Sequence, residues 1–228
     1  MARDYASLRG VVFDAVGTLI YPDPPVAITY YELGRQHGSQ LSQSDIARNF
    51  RRVLKCRTYE RRTNEQIERG RWRLIVADVF TDLDDTQSLF RHLWDHFARS
   101  TSWAVYDDVP DVLAELNSRG LITAIGSNFD DRLLSIAKQL APLDQLDAIF
   151  VSAQLGYTKP SIEFFRSIEH RLQLRPSQLL MVGDDIRNDF EGGATAGWRS
   201  LLLNRETSMD GDASLRSLLD LIQLLPTK

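Results

Sequence analysis

Apolar residues in this chain follow two rhythms. Leu8 to Phe13 is a short β-branched run that stops at Asp14, with Gly17 just beyond. Its length and abrupt polar end predict a buried strand followed by a turn. Runs of the same kind recur at Leu121 to Ile125, Ala148 to Val151, Leu179 to Val182 and Ser200 to Leu203. Between them the spacing becomes helical. Asp130 to Leu140 carries Leu133, Leu134, Ile136, Ala137 and Leu140, and Ile162 to Leu172 carries Phe164, Phe165, Ile168 and Leu172. Ile186 to Ala196 reads as another helix. Strands alternating with helices predict βαβ units and a parallel sheet, the α/β class, whose ligands bind at the carboxyl ends of the strands.

Residues 21–106 break this alternation. They hold no convincing strand and several amphipathic helices, one marked by Ile46, Phe50, Val53 and Leu54 and another by Leu89, Phe90, Leu93, Trp94 and Phe97. Pro22, Pro24 and Pro25 separate this region from the first strand. On its far side Val109-Pro110 precedes a helix from Asp111 that Gly120 ends. The expected organisation is a core of residues 1–20 and 107–228, with 21–106 inserted as a helical domain. A turn at Gly211-Asp212 leads into a last helix with Leu215, Leu218, Leu219 and Ile222 on its buried side.

Composition narrows the function classes. Apolar residues are 43% and charged residues 25% of the 228, an ordinary globular balance that excludes a disordered chain. Twenty-seven basic residues against 31 acidic ones argue against nucleic-acid binding driven by phosphate neutralisation. No apolar run approaches the roughly 18 residues of a membrane span. The first residues lack the continuous apolar stretch of a signal peptide, so a soluble, cytoplasmic protein is expected. Cys56 stands alone, which excludes an internal disulfide.

Candidate chemistry sits where the strands end. The first gives Asp14-Ala-Val-Gly-Thr18, the second Gly126-Ser127-Asn128 and the fourth Gly183-Asp184-Asp185 with Asp189 following; Lys159-Pro160 comes after the third. In a doubly wound sheet these residues share one edge. Two carboxylates at 4 Å repel by about 1 kcal/mol in water and about 4 kcal/mol at an effective dielectric near 20. One lysine does not compensate several of them, and an oxygen-only set suits a hard divalent ion such as Mg²⁺. Asp14 kept ionised in this way is a nucleophile, and the hydroxyls and Lys159 are oxyanion partners, a set that points to phosphoryl transfer.

Phe13-Asp14-Ala-Val-Gly-Thr18-Leu19, Ser127-Asn128, Lys159-Pro160 and Gly183-Asp184-Asp185-x-x-x-Asp189 resemble the four ordered motifs of the haloacid dehalogenase-like hydrolase superfamily. Gly192-Gly-Ala-x-x-Ala-Gly197-Trp198 resembles the segment after its fourth motif. The resemblance implies a Rossmann-like doubly wound sheet with an inserted helical cap. It makes Asp14 the nucleophile and a metal ligand, with the carbonyl of Val16 a second ligand. It gives Thr18 and Ser127 to the phosphate, with Asn128 adjoining, and Lys159 to charge screening. Asp184 would bind Mg²⁺, with Asp185 and Asp189 acting directly or through waters. The implied substrate is a small phosphorylated metabolite, cleaved through an aspartyl-phosphate.

One position departs from that pattern. Phosphatases of the superfamily carry a second aspartate two residues after the nucleophile, where this chain has Val16. General acid–base help is worth about 10²- to 10⁴-fold, and valine moves no proton. Slow turnover is therefore expected, with Asp23 a candidate to supply the proton. Two alternatives follow: a non-catalytic module binding phosphate and metal, and a haloacid dehalogenase in which Arg35 is a conceivable cap arginine. The arginines of the insertion, from Arg48 to Arg73, are expected on solvated faces, with contact to substrate by one of them kept open. His92 and His96, four apart, and Trp72, Trp94 and Trp103 are expected to pack the cap rather than to bind a ligand.

Overall fold

The structure, a computed structural model, describes residues 5–56, 61–205 and 214–225. The Gly211-Asp212 turn and Arg57 lie outside them. Strand β1 (Gly10–Phe13) and the short β2 (Ile20–Pro22) are followed by helices α1 (Val26–Gln36), α2 (Gln43–Cys56), α3 (Glu65–Val79) and α4 (Gln87–His96), after which β3 (Trp103–Val105) leads back. Then come α5 (Val109–Ser118), β4 (Ile122–Ser127), α6 (Arg132–Gln139), β5 (Ala148–Val151), the one-turn α7 (Ser152–Leu155), α8 (Ile162–Leu172) and β6 (Leu179–Gly183). A π-helical turn at Ile186–Glu191 runs into α9 (Gly192–Thr195), and β7 (Arg199–Leu203), β8 (Ser214–Leu215) and α10 (Leu218–Leu224) follow.

Six strands form one parallel sheet in the order β5-β4-β1-β6-β7-β8. Successive side chains of a strand point to opposite faces, and here each face meets its own helical layer. Val11, Phe13, Ile125, Leu180 and Val182 pack with Val112 and Leu116 of α5, Ile136 of α6 and Leu218 of α10. Val12, Ala124, Leu179 and Met181 pack on the other side with Phe164, Phe165 and Ile168 of α8 and with Trp198. Burial on both faces explains why these strands read as continuous apolar runs. From the central β1 the chain passes to β4 and β5 on one side and to β6 and β7 on the other, so the ends of β1, β4 and β6 border the crevice where such sheets bind ligands.

The α/β sheet matches the expectation, and three local readings are corrected. Residues 21–106 were expected to hold no strand, yet Ile20, Tyr21 and Pro22 pair antiparallel with Val105, Ala104 and Trp103. Three-residue strands are too short to show alternation, and the ladder ends at the proline. Leu215, expected on the last helix, lies in β8. Ile186 to Ala196 is not one regular α-helix but a π turn followed by a single α turn.

Helices α1–α4 pack around a separate apolar cluster that includes Tyr30, Ile46, Val53, Ile75, Phe80, Leu89 and Leu93. This helical layer rests on the strand ends through polar ties. Asp131 N donates to Glu65 Oε2 at 3.0 Å, Thr63 N to the Gly156 carbonyl at 3.1 Å and Thr158 N to the Arg61 carbonyl at 3.1 Å. Among the described residues no helix is long and apolar enough to cross a membrane.

Ile168 is wholly buried between α8 and the sheet. Ile168→Ala is expected to lower unfolding stability by about 2–5 kcal/mol, through lost burial and the cavity left behind. Leu74→Ser, at a site 48% exposed on α3, should change it by less than about 0.5 kcal/mol. Urea denaturation midpoints at constant slope check both.

Candidate active site

Asp14 follows directly on β1, with its amide bonded to the Val182 carbonyl at 2.9 Å, so the sheet itself aims the carboxylate into the crevice. Asp184 follows β6 in the same way. Asp189 comes from the π turn, whose wider winding carries it inward to full burial. Oxygens of Asp14, Asp184 and Asp189 lie within 4.8 Å of one another.

Two glycines make this approach possible. Gly17 has φ +89°, and a Cβ there would stand 2.3 Å from an Asp184 oxygen. A Cβ on Gly183 would stand 2.2 Å from Asp189 Oδ2. Any side chain at either position pushes a carboxylate out of the cluster.

Lys159 enters from the loop after α7 and is 2% exposed. Its ammonium donates to Asp14 Oδ1 at 2.7 Å and to Asp189 Oδ1 at 2.6 Å. Burial alone would lower its pKa, but the two carboxylates outweigh burial and raise it, so Lys159 stays charged. Its backbone is clamped by Asn128, whose Oδ1 accepts from Lys159 N at 2.7 Å and whose Nδ2 donates to the Lys159 carbonyl at 3.0 Å.

One ammonium does not balance three carboxylates. Burial first, and then the charge of Asp14, push Asp184 up to about 6. Burial and Asp14 likewise raise Asp189, against the opposing pull of Lys159. Carboxylates that hold protons for want of countercharge can instead accept a hard cation through their oxygens. The donor set therefore fits a divalent ion, with Asp14 and Asp184 best placed to hold it. Asp189 is more engaged, since Oδ2 also accepts from Asp185 N at 3.1 Å.

Of the residues expected here, Asp14, Lys159, Asp184 and Asp189 are brought together, and Val16, Ser127 and Asn128 line the cavity above them. Asp185, Thr18 and Asn128 make contacts that the expectation did not include. Asp185 lines the cavity but stands outside the oxygen cluster, and its Oδ1 accepts from Arg187 N and Asn188 N, capping the π turn. Thr18 is fully buried and turns its hydroxyl to Asp184 Oδ1 at 3.4 Å, bracing that carboxylate rather than facing the cavity. The Asn128 amide is spent on Lys159, which makes it a strut.

Asp23 is exposed and outside the cavity lining, and Arg35 is bonded to the Ser39 carbonyl and to Gln40. None of the described arginines between Arg48 and Arg73 lines the cavity. His92 meets His37, ring nitrogens 2.8 Å apart, rather than His96.

The cavity measures about 340 Å³. Its floor is the acidic cluster with Lys159; its walls come from α1–α4, β3 and the loop after β4. Trp72, Trp94 and Trp103 all face it, so the tryptophans read as plain cap core are also its lining. Sequence reasoning missed Arg132, whose guanidinium forks onto Asp130 with two 2.7 Å bonds and lies 3.6 Å from the centre of the Trp94 ring. No motif marks that arginine.

Comparison with known proteins agrees with this arrangement. The family profile described as haloacid dehalogenase-like hydrolase matches residues 8–197. The human protein "Haloacid dehalogenase-like hydrolase domain-containing protein 3" is 26% identical over 212 residues, covering 89% of this chain and 84% of that one. Among solved structures, the HAD-hydrolase YfnB of Bacillus subtilis bound to magnesium has a TM-score of 0.73 at 19% identity, covering 96% of this chain and 98% of its own. L-2-haloacid dehalogenase of Xanthobacter autotrophicus, with chloropropionic acid covalently bound, has a TM-score of 0.72 at 20% identity, covering 95% and 98%. Likeness at these identities is likeness of fold.

The raised Asp184 pKa has a stability consequence. Its ordinary value is 3.8, so between about pH 4 and 6 the folded state holds a proton that the unfolded state has lost. Stability of the metal-free protein therefore falls as pH rises through that window. Asp184→Asn is expected to flatten the fall and raise Tm at pH 7.5 by about 2–4 °C. That corresponds to roughly 1 kcal/mol in a domain of this size, a figure reduced for solvent screening of the exposed carboxylate tip. Calorimetric melts from pH 4 to 8 check the sign.

Proposed function

Because the chain belongs to the haloacid dehalogenase-like hydrolase family, we propose that it is a magnesium-dependent phosphatase that uses Asp14 as its nucleophile. The observation that carries this reading is the uncompensated cluster of Asp14, Asp184 and Asp189 around one buried ammonium. Asp14 and Asp184 would hold the cation, with the Val16 carbonyl a further candidate. When bound, the cation would offset the negative charge of carboxylates and phosphoryl oxygens in one place.

The protein's own groups do the rest. Lys159 fixes Asp14 Oδ1 and so orients the second oxygen for attack on phosphorus. A bond forms from Asp14 to phosphorus as the bond from phosphorus to the ester oxygen breaks, and the departing oxygen takes a proton. Water then attacks the phosphorus, returning the Asp14 carboxylate and releasing inorganic phosphate. Val16 lines the site without a proton to give, and Asp23 does not reach it. The departing oxygen must draw on solvent or on the substrate, and turnover is slow in consequence.

Dehalogenation is the second reading, favoured by Val16 and by the likeness to L-2-haloacid dehalogenase. Asp184 beside the nucleophile opposes it, because an unpaired carboxylate repels the carboxylate of a haloacid. A phosphate- and metal-binding module without turnover is the third.

Phosphate release from a phosphomonoester panel is expected to require Mg²⁺ and to vanish in Asp14→Asn. Val16→Asp should raise kcat by about tenfold or more, within the range of general acid–base catalysis. Rates indifferent to chelator or to Asp14→Asn would overturn this mechanism. Chloride release from 2-chloropropionate in the presence of chelator would favour dehalogenation, and tight phosphate binding without turnover would favour the module.

A further inference from the structure

The floor of the cavity gathers its charged and polar groups, with Asp185 and Asn188 beside the acidic cluster, whereas the walls given by residues 22–103 are apolar apart from the Tyr30 phenol. Phe50, Trp72, Phe90, Trp94, Trp103 and Phe129 present rings to the space above Asp14. Tyr30 adds a phenol 2% exposed, and burial raises its pKa, which marks a poorly hydrated wall. A sugar or polyol seated here would lose its hydration with few hydrogen-bond partners in return, a cost that sites of this kind use to reject polar ligands.

Charge on the lining is equally restrictive. Its cations are Lys159 and Arg132, and each is already neutralised inside the protein. Lys159 is held by Asp14 and Asp189, and Arg132 is forked onto Asp130 while its plane covers Trp94. Among the described residues, a second carboxylate or phosphate on the ligand would find no free countercharge in the lining. The described arginines of the cap, which would have offered one, stand outside the lining.

We propose that the molecule cleaved at Asp14 carries one phosphoryl group on a bulky apolar body, alkyl or aromatic, seated among these rings. This rests on the phosphatase reading and adds the class of substrate to it. The phosphoryl group occupies the floor beside Asp14, Lys159 and Ser127. The apolar body fills the remaining space, and a cavity of about 340 Å³ takes a ring or a chain of several carbons together with the head group. Trp72, half-buried on α3, is a specificity-determining side chain of this wall.

Alkylphosphonates from ethyl to octyl test this, because the head group and its charge stay constant while only apolar length changes. Titrated calorimetrically into the full chain with saturating Mg²⁺, the series is expected to tighten by about three- to fourfold per methylene until the cavity is full. Phosphonoacetate, with its second acid, should bind at least tenfold more weakly than ethylphosphonate. Trp72→Ala, checked for an unchanged far-ultraviolet spectrum, should flatten the series.

A flat series in the wild-type protein, a preference for phosphonoacetate, or no binding by any phosphonate overturns the proposal. Phosphate release measured in parallel separates the two readings. A length-dependent series without turnover removes the phosphatase and keeps the apolar site, while turnover with a flat series does the reverse.

Discussion

A single buried ammonium organises the catalytic end of this molecule. Lys159 is almost wholly buried, so its charge is tolerable only while a carboxylate, Asp14 or Asp189, stays within reach. Removing both carboxylates would strand a cation in the interior, the costliest way to break such a group. Those two acids arrive from β1 and from the π turn after β6, and the lysine itself from the segment between α7 and α8. Asn128, at the end of β4, clamps the lysine backbone. One ion-pair triad thus ties together four separated stretches of chain, and the remaining negative charge, on Asp184 above all, is what a metal ion can answer.

The rest of the site is a contrast of media. Below, carboxylates and an amine crowd together behind glycines that leave no room for a side chain. Above, aromatic rings from the helical layer form most of the wall. In a low-dielectric chamber each charge on the floor acts more strongly than it would in open solvent. On the substrate class proposed above, the same walls make the chamber selective, favouring a ligand that is apolar where it meets them. Arg132 joins the two halves, because it is rooted on α6 of the sheet domain and stacked on Trp94 of the cap.

How much of this was legible in the chain depends on how local each feature is. Strands buried on both faces announce themselves as apolar runs, and acids or lysines stationed after them mark the crevice edge, so the gathering of Asp14, Lys159, Asp184 and Asp189 at one edge is legible in the sequence. Asp185 was not separable from its neighbours, because capping a helical turn and binding a metal call for the same carboxylate. Thr18 was misread for a similar reason, since a hydroxyl near a nucleophile can face either a ligand or a carboxylate. The aromatic lining was the hardest to foresee. Tryptophan and phenylalanine at helical spacing mean a buried face, and periodicity does not tell whether that face meets another helix or a void. The β2–β3 ladder was too short to show any period.

That ladder has an architectural consequence. Outgoing and returning chains run side by side where the inserted helices begin and end, joined by the pairs Ile20 with Val105, Tyr21 with Ala104 and Pro22 with Trp103. The helical layer is therefore a side branch closed at its base, and the backbone's path through the six-stranded sheet is the same whatever the branch contains. Changes within the branch can therefore alter the upper part of the cavity without moving the strand ends that carry Asp14 and Asp184. Three residue pairs, six residues in all, thus separate the fold of the branch from the fold of the sheet.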